Sequence, residues 1–311
     1  MRTVSEAQTR ELLEPGRVIA AIEDAFRNYF QTAIAPVRLQ QDLGGGGVLL
    51  LMPCYGPVYQ AAGVKIVTVA GAAQAARDRV RATYLLLSAQ GVPELMIEAN
   101  YLTEIRTAAT SALATKYLAR KNSSTLGIFG TGRQARAHLE VFAQTFNLKV
   151  ILVCGSSPQR SKEFARQARA ELGLHVEAVD AQNCAASSDI ICTCTTAREP
   201  LFPGELLRPG THLNLVGAFQ PETREVDETA LKRSRVVVDT YDGALAEAGD
   251  LLIPLRSGGI SRDHLTADLH ELVAGKKPPR QNDLEITMFK SVGCALEDLA
   301  TAVLLRSSFR D

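Results

Sequence analysis

The stretch Thr125–Phe142 reads TLGIFGTGRQARAHLEVF and sets the architecture of the second half of the chain. An apolar, strand-like run ends at Gly130, and a helical pattern begins at Arg133. The pattern G-x-G-x-x-A in this position is typical of the turn that binds the pyrophosphate of a dinucleotide. Glycine permits a tight turn and a close approach of backbone N–H groups to phosphate, while the small Ala135 lets helix and strand pack closely. The residues predicted to hold the dinucleotide are Gly130, Thr131, Gly132, Arg133, Gln134 and Ala135.

Beyond residue 120, strand-like runs alternate with helical runs. Helical stretches begin at Arg133 and Pro158, and the strand-like runs are TLGIFG, KVILVCG, DIICTCTT, THLNLVGAF and RVVVDTY. This alternation is typical of a parallel sheet that is covered by helices on both faces. The sequence therefore predicts an α/β protein with a doubly wound Rossmann domain over residues 120–285.

The remaining residues predict a second domain of the α+β class. The first 30 residues are helical in pattern, with a capping box from Ser5 to Gln8 and a second segment that Pro15 opens. Short strand-like runs between residues 37 and 96 predict an antiparallel sheet, with Gly44–Gly47 as a hairpin turn. An alanine-rich helix is predicted over Thr103–Leu118.

The last apolar stretch, MFKSVGCALEDLATAVLL, is predicted to form one long helix that returns to this second domain. The second domain is therefore expected to comprise residues 1–119 and 286–311.

Composition excludes several classes of function. The chain has 46% hydrophobic residues, 22% charged residues, and 34 basic against 34 acidic side chains, so nothing points to a nucleic-acid partner. The charged N-terminal stretch resembles no signal peptide, and no apolar run is long enough for a membrane span, so a cytoplasmic, non-membrane protein is expected. Six cysteines in apolar runs predict buried thiols, and the spacing of Cys192 and Cys194 does not suit zinc, so no metal is expected.

The second Rossmann strand ends without the acidic residue that usually binds the ribose 2′-hydroxyl of NAD. Ser156, Ser157 and Arg160 stand there instead and suit a 2′-phosphate, which favours NADPH over NADH. The alternative is that the serines only cap the next helix, a role that suits Ser157 before Pro158. Further cofactor contacts are expected at the carboxyl ends of later strands, from Thr195, Thr196, Val216 and Gly217.

Blocks of sequence over nearly the whole chain resemble the ornithine cyclodeaminase/mu-crystallin family. The blocks are PVR at Pro36–Arg38, MPCY at Met52–Tyr55, GVKIVT with Lys65, IRTAATSALATKYL with Arg106, GTGRQA, NLVGAFQPETREVD at Asn214–Asp227, EAGDLL with Glu247, and FKSVGCALED at Phe289–Asp298. The resemblance implies a homodimer whose non-Rossmann domain binds the substrate and supplies the dimer interface. It also assigns Ser291 to the cofactor site, and Met52 and Glu247 to the substrate site.

The same resemblance gathers Arg38, Lys65 and Arg106 around the substrate as catalytic and substrate-binding residues. Cations suit a small 2-imino or 2-amino acid because they fix its carboxylate, and arginine offers a planar bidentate fork. Lys65 lies in an apolar run, so a bound carboxylate or a protein partner such as Glu247 is expected beside it.

Two departures from the family pattern bear on the reaction. Phe219 stands where cyclodeaminases have the aspartate that transfers a proton, and Leu50 stands where they have a glutamate. A phenylalanine cannot move a proton, so ornithine cyclisation loses support, and Phe219 is expected to wall an apolar pocket. A ketimine needs only hydride transfer, which favours reduction of Δ1-pyrroline-2-carboxylate or Δ1-piperideine-2-carboxylate to proline or pipecolate.

Other readings stay open on the sequence alone. An ornithine cyclodeaminase or an amino-acid dehydrogenase resembling alanine dehydrogenase would need another proton-transfer group, such as His212 or Glu222. Iminosuccinate is an alternative substrate for a reductase. A further alternative, which the resemblance to mu-crystallins leaves open, is a protein that binds NADPH and a small ligand without catalysis.

Overall fold

The computed structural model of the chain describes residues 1–70 and 80–309. The chain divides into two compact units, one of Met1–Thr110 with Gly293–Asp311 and one of Ser111–Val292. We call them the N-terminal unit and the central unit. No helix among the described residues has the length and apolar character required to cross a membrane.

The elements are numbered in chain order. The strands are β1 (Arg2–Val4), β2 (Leu39–Gly44), β3 (Gly47–Gly56), β4 (Ala61–Val69), β5 (Val80–Ser88), β6 (Pro93–Glu98), β7 (Thr125–Phe129), β8 (Val150–Cys154), β9 (Val176–Ala178), β10 (Ile190–Thr193), β11 (His212–Leu215), β12 (Ser234–Val238), β13 (Leu265–Asp268) and β14 (Ile286–Lys290). The helices are α1 (Glu6–Leu12), α2 (Pro15–Asp24), α3 (Asn100–Leu118), α4 (Arg133–Thr145), α5 (Pro158–Leu172), α6 (Ala181–Ser187), α7 (Glu228–Lys232), α8 (Tyr241–Glu247), α9 (Gly249–Ser257), α10 (Leu269–Val273) and α11 (Ala295–Ser307).

The N-terminal unit is built on a sheet of order β1-β6-β5-β4-β3-β2. Strands β2 to β6 pair antiparallel, as the sequence predicts, and β1 joins the edge in parallel with β6. The expected hairpin turn between β2 and β3 is confirmed, with Gly44, Gly45 and Gly46 all at positive φ. The capping box of Ser5 and Gln8 opens α1, and Pro15 is the first residue of α2. Helix α11 packs against β3, β4, β5 and α2.

The central unit contains an eight-stranded sheet of order β13-β12-β14-β11-β10-β7-β8-β9. All its strand pairs are parallel, which confirms the predicted Rossmann architecture. The chain runs outward from β7 through β8 to β9 and then returns to β10 on the other side of β7. In open α/β sheets, ligands bind in the crevice at the carboxyl ends of the strands where the order reverses in this way.

The predicted helix over the last apolar stretch is wrong in its first part. Residues Ile286–Lys290 form β14, which lies between β11 and β12, and the helix starts only at Ala295. An apolar run buried on both faces of a parallel sheet cannot be told from a buried helix by its periodicity. The central unit therefore extends to Val292, beyond residue 285, and at its other end it begins within α3 at Ser111, before residue 120.

Candidate functional site

The glycine-rich turn after β7 has the shape required to approach a phosphate. Gly130 has φ +114°, and a Cβ atom there would lie 2.6 Å from the carbonyl oxygen of Cys194. Gly132 is the N-cap of α4 and has no side chain to cap the helix, and a Cβ atom on Gly132 would meet nothing within 4 Å. The exposed N-terminus of α4 therefore leaves space and N–H donors for an anion. Arg133 is exposed there, Thr131 and Gln134 are half-buried, and Ala135 is buried.

The turn after β8 lies against this glycine-rich turn. A Cβ atom on Gly155 would be 2.7 Å from Cγ2 of Thr131, so the two turns are in close contact. The Ser157 side chain accepts a hydrogen bond from the backbone N–H of Arg160 and caps α5, as the alternative interpretation proposed. The side chains of Ser156 and Arg160 are exposed. These two side chains are therefore accessible to a phosphate at the end of β8.

Glu225 joins the turns that follow β10 and β11. Its buried carboxylate accepts hydrogen bonds from Thr193 Oγ1 (2.7 Å), Thr195 N–H (2.8 Å), Thr195 Oγ1 (2.7 Å) and Gly217 N–H (2.8 Å). A Cβ atom on Gly217 would be 2.2 Å from the carbonyl oxygen of Thr195. The polar hydrogens of Thr195 and Gly217 therefore face inward, toward Glu225. Thr196 is exposed and Val216 is half-buried, so these two remain accessible in the central unit.

Asp250 and Lys290 hold the backbone of Glu225 in place. Asp250 Oδ1 accepts hydrogen bonds from the backbone N–H groups of Glu225 (2.6 Å) and Val226 (3.2 Å), and Lys290 Nζ lies 2.9 Å from Asp250 Oδ2. Burial and the neighbouring Asp250 raise the pKa of Glu225, while Lys290 and the threonine donors act in the opposite direction. All three charged side chains are buried.

Asp239 performs a similar task at the end of β12. Its carboxylate accepts hydrogen bonds from Ser291 Oγ (3.0 Å), from the Val292 N–H (2.7 Å) and from the Thr240 N–H (2.7 Å). Ser291, which the sequence assigns to the cofactor site, is buried and donates its hydroxyl to Asp239. Its side chain therefore fixes the turn after β14.

A second group of charged side chains is buried in the N-terminal unit, and we call it the cation cluster. Lys65 on β4 places Nζ 2.8 Å from Asp298 Oδ1, and the Lys65 side chain is only 1% exposed. The expected partner Glu247 is thus corrected to Asp298, which lies in the first turn of α11, packed against β4. Burial and the positive charges of Arg106 and Arg38 lower the pKa of Lys65 to about 8, although Asp298 raises it.

Arg106 on α3 belongs to the same cluster. Its Nη1 donates to Glu297 Oε2 at 2.6 Å, and its Nε lies 3.1 Å from Asp298 Oδ1. Gly293 has φ +90°, and a Cβ atom there would be 2.6 Å from Arg106 Nη1, so only glycine leaves room for the guanidinium. Arg38 is half-buried and donates from Nη2 to the carbonyl oxygen of Gly293 at 3.4 Å.

Neighbouring strands complete the surroundings of Lys65. Met52 on β3 and Tyr84 on β5 are its cross-strand partners, and both are buried. The hydroxyl of Tyr84 has no hydrogen-bond partner among the described residues, and burial raises its pKa well above the usual value. Lys65 and Arg106 thus pair with two buried carboxylates, Glu297 and Asp298, and Arg38 contacts the neighbouring Gly293.

The sequence profile of the ornithine cyclodeaminase/mu-crystallin family matches residues 1–311. The chain belongs to this family. A Δ1-pyrroline-2-carboxylate reductase of Bacillus cereus is 34% identical to this family member over 311 residues, which cover 98% of this chain and 95% of that protein.

Two solved structures are also similar. The Δ1-pyrroline-2-carboxylate reductase of Thermococcus litoralis, in complex with NADH and L-proline, has a TM-score of 0.94 and 37% identity, and the match covers 99% of this chain and 98% of that chain. An archaeal alanine dehydrogenase dimer with bound NAD has a TM-score of 0.90 and 30% identity, and the match covers 99% and 95%.

His212 and Glu222, the two possible substitutes for the missing proton-transfer carboxylate, lie in different surroundings. His212 is buried, hydrogen-bonded to Thr287 and Asn214, and burial lowers its pKa to about 3. It is therefore a neutral structural side chain. Glu222 is exposed in the central unit, Phe219 is 40% exposed, and Glu247 ends α8 half-buried.

Sequence reasoning missed the buried carboxylates of both sites. Glu297 and Asp298 stand in the quoted block FKSVGCALED, and Glu225 in NLVGAFQPETREVD, yet their acidic side chains were not assigned a task. An acidic residue inside an otherwise apolar run is the available signal, because a charge is rarely buried without a partner. Among the described residues, no group of three or more His, Cys, Asp or Glu side chains could hold a metal ion.

Proposed function

We propose that this protein is an NAD(P)H-dependent reductase of small 2-imino carboxylates, which reduces Δ1-pyrroline-2-carboxylate to L-proline. The observation that carries the proposal is the cation cluster, in which two of the three cations are almost completely buried in the N-terminal unit. The Bacillus cereus and Thermococcus litoralis relatives bear the name of this activity, and the second was solved with NADH and L-proline.

The cation cluster suits a substrate with one carboxylate. The cluster gathers three cationic side chains, and cations of this kind bind a carboxylate through charge-assisted hydrogen bonds. We assign the carboxylate to the guanidinium groups of Arg38 and Arg106, because planar forks bind carboxylates in two parallel hydrogen bonds. Glu297 and Asp298 hold the Arg106 guanidinium in a fixed orientation for this contact.

Lys65 is assigned the electrostatic and proton-delivering role. A pKa near 8 leaves most of the Lys65 ammonium charged at neutral pH but makes its proton easier to release than that of an ordinary lysine. A proton held at Nζ stabilises the electron pair that develops on the substrate nitrogen during reduction. Asp298, 2.8 Å away, keeps this ammonium in place.

The central unit fits a nicotinamide dinucleotide. The open space at Gly132 and the uncapped N-terminus of α4 suit the pyrophosphate, and the accessible positions Thr196 and Val216 lie at the strand ends beyond β7. A reduced nicotinamide supplies the hydride that saturates the carbon–nitrogen double bond. Ser156 and Arg160 favour NADPH, because they offer a hydroxyl and a cation where no carboxylate repels a 2′-phosphate.

The test is an assay of purified protein that follows the absorbance of the reduced nicotinamide. NADPH and NADH are compared with Δ1-pyrroline-2-carboxylate, Δ1-piperideine-2-carboxylate and iminosuccinate, and L-proline is identified as product. Rapid oxidation with a cyclic imine is expected, with a higher kcat/KM for NADPH. Turnover with iminosuccinate alone would show that iminosuccinate, and not a cyclic imine, is the substrate. No turnover despite cofactor binding would contradict the proposal and favour a ligand-binding protein.

The second candidate is an amino-acid dehydrogenase, which the similarity to the archaeal alanine dehydrogenase favours. It predicts reduction of NAD+ with L-alanine and release of ammonia. The placement of Phe219, an apolar side chain, speaks for the imine reductase, because it cannot accept a proton from an amine or from water. Cyclisation of ornithine to proline consumes and produces no net reduced nicotinamide, so it is measured separately, by the release of ammonia and the formation of proline.

We also propose a cytoplasmic homodimer. Several large apolar side chains of the N-terminal unit are exposed, among them Leu39, Ile66, Val80 and Met96. Exposed apolar surface of this kind often marks an interface between subunits. The archaeal alanine dehydrogenase was solved as a dimer, and the six cysteines, all free, suit a reducing compartment. The mass in solution at low micromolar concentration tests the dimer.

A further inference from the structure

The turn after β10 is in direct contact with the glycine-rich turn of the proposed cofactor site. The carbonyl oxygen of Cys194 lies so close to Gly130 that a Cβ atom on the glycine would be 2.6 Å from it. A shift of Cys194 and Thr195 would therefore change the shape of the surface beside the glycine-rich turn. What holds this turn in place is thus relevant to the binding of a dinucleotide.

Glu225 holds it. The four hydrogen bonds that its carboxylate accepts come from the end of β10 and from the turns after β10 and β11: three come from Thr193 and Thr195, and one comes from the backbone of Gly217. Four donors at 2.7–2.8 Å fill the acceptor sites of an ionised carboxylate. Glu225 itself is anchored through its backbone N–H to Asp250, which pairs with Lys290.

The position of these turns in the sheet indicates which half of a dinucleotide they face. The pyrophosphate is expected at Gly132, and the adenosine half is expected over β8, where Ser156 and Arg160 are exposed. The opposite side of β7 is occupied by β10 and β11, whose turns Glu225 joins. The nicotinamide half is therefore expected beside the turns that Glu225 fixes.

We propose that Glu225 is a positioning residue that shapes the nicotinamide half of the cofactor site without touching the cofactor. Its side chain is completely buried and its acceptor sites are filled by the two turns, so its influence passes through Thr195 and Gly217. Loss of the carboxylate leaves buried N–H and O–H donors without an acceptor, which costs enough free energy to rearrange the turns. The inference rests on the proposed use of a nicotinamide dinucleotide, but not on the identity of the imine.

The test measures binding and not turnover. NADH and ADP-ribose, which lacks the nicotinamide, are titrated against wild-type protein and Glu225→Gln, with NADH fluorescence and calorimetry as readouts. We expect the Kd for NADH to rise about tenfold or more, whereas the Kd for ADP-ribose stays within about twofold. A general loss of stability would weaken the binding of both ligands to the same extent.

Asp189→Asn is the matched control. Asp189 also accepts two backbone N–H bonds, from Ser124 (2.9 Å) and Thr125 (3.1 Å), but it stands at the amino ends of β7 and β10, the opposite edge of the sheet. Its substitution is expected to lower the Tm and to leave both Kd values unchanged.

Thr193→Val serves where Glu225→Gln does not fold. The Thr193 side chain is completely buried, so it cannot contact a cofactor, and valine removes only its hydrogen bond to Glu225. A rise of about threefold in the Kd for NADH alone supports the inference. Unchanged NADH binding in both variants, or an equal loss of NADH and ADP-ribose, overturns it. Wild-type protein that binds NADH but reduces no imine would refute the proposed substrate and leave this inference intact.

Discussion

Lys65 Nζ on β4 lies 2.8 Å from Oδ1 of Asp298 on α11, although the two residues are 233 positions apart in sequence. Both side chains are buried, so the pair exchanges the hydration of two charges for a contact that also includes Arg106. A buried pair of this kind contributes little net stability compared with an apolar pair, but it is costly to break. Its presence in the N-terminal unit is therefore best explained by a task for Lys65.

Asp298→Asn removes the negative charge from Lys65 and Arg106. We expect the free energy of unfolding to fall by about 3–5 kcal/mol, because two buried cations lose their shared counterion. The pKa of Lys65 falls further below 8, since Asp298 is the group that raises it. Denaturant titration and the pH profile of kcat/KM measure the two effects. Asp24→Asn, at an exposed position of the same unit, is the control and is expected to change neither.

The lowered pKa of Lys65 predicts a pH dependence of activity. In the direction of imine reduction, kcat/KM is expected to fall above a pH of about 8, as the ammonium loses its proton. Lys65→Arg keeps a charge at all these pH values, so any activity that it retains should show no fall in this range. A wild-type profile that is flat from pH 7 to pH 10 would exclude Lys65 as the charged group.

The same shift has a defined effect on stability. Between pH 8 and 10.5 the unfolded chain binds the Lys65 proton more tightly than the folded chain does. The contribution of Lys65 to the free energy of unfolding therefore rises with pH across this window and is constant below it. Lys65→Met should remove this rise, which denaturant titrations at several pH values can measure.

Two glycines of the central unit are expected to respond differently to alanine. At Gly132 a Cβ atom meets nothing within 4 Å, so Gly132→Ala should leave the Tm unchanged but weaken NADH binding by roughly tenfold, because the methyl group occupies space that the pyrophosphate needs. At Gly217 a Cβ atom would be 2.4 Å from Glu225 Oε1, so Gly217→Ala should lower both the Tm and the affinity. Thermal melts and NADH fluorescence separate the two; equal melting temperatures would contradict the packing described here.

Two buried histidines predict sensitivity to acid. Burial lowers the pKa of His138 to about 4 and that of His212 to about 3, whereas the ordinary pKa of histidine is 6.5. Below pH 6.5 the unfolded chain binds more protons than the folded chain, so the free energy of unfolding falls as the pH drops. Each histidine contributes at most about 1.4 kcal/mol per pH unit.

Substitution identifies the source of this slope. His138→Gln keeps a polar side chain beside Ser111, which hydrogen-bonds His138 Nε2 at 3.0 Å, and should reduce the slope between pH 6 and pH 4. His175→Gln, at an exposed histidine, is the matched control and should leave the slope unchanged. An unchanged slope in His138→Gln would show that the acid sensitivity has another origin.

Local sequence signals predicted most of the fold. The strand–turn–helix pattern around Gly130, the glycine turn at Gly44–Gly47 and the opening of α2 at Pro15 all depend on neighbouring residues, and the structure confirms them. β14 was mistaken for helix because its residues are apolar on both faces and the strand lies between two others. Strand order depends on contacts between distant segments, which no local pattern records.

The cations of the candidate site were recognised in sequence, but their partners were not. Lys65 in an apolar run requires a counterion, but sequence alone does not identify which of several acidic residues provides it. Asp298 fulfils the role because α11 packs on β4, a long-range contact that depends on the whole unit. For the same reason Glu225, rather than a residue of the cofactor motif, joins the turns beyond β7.

The most direct measurement follows the hydrogen that is transferred. NADPH or NADH that carries deuterium at the reactive position of the nicotinamide is incubated with Δ1-pyrroline-2-carboxylate and the protein, and the product is analysed by NMR. Arg106→Met is the variant of the proposed carboxylate clamp. Arg10→Met, at a partly exposed arginine of the same unit, is its control. We expect deuterium on the α-carbon of L-proline, roughly a hundredfold lower kcat/KM for Arg106→Met and no change for Arg10→Met. Proline without deuterium on its α-carbon, or no formation of proline, would contradict the assignment as a reductase of cyclic imines.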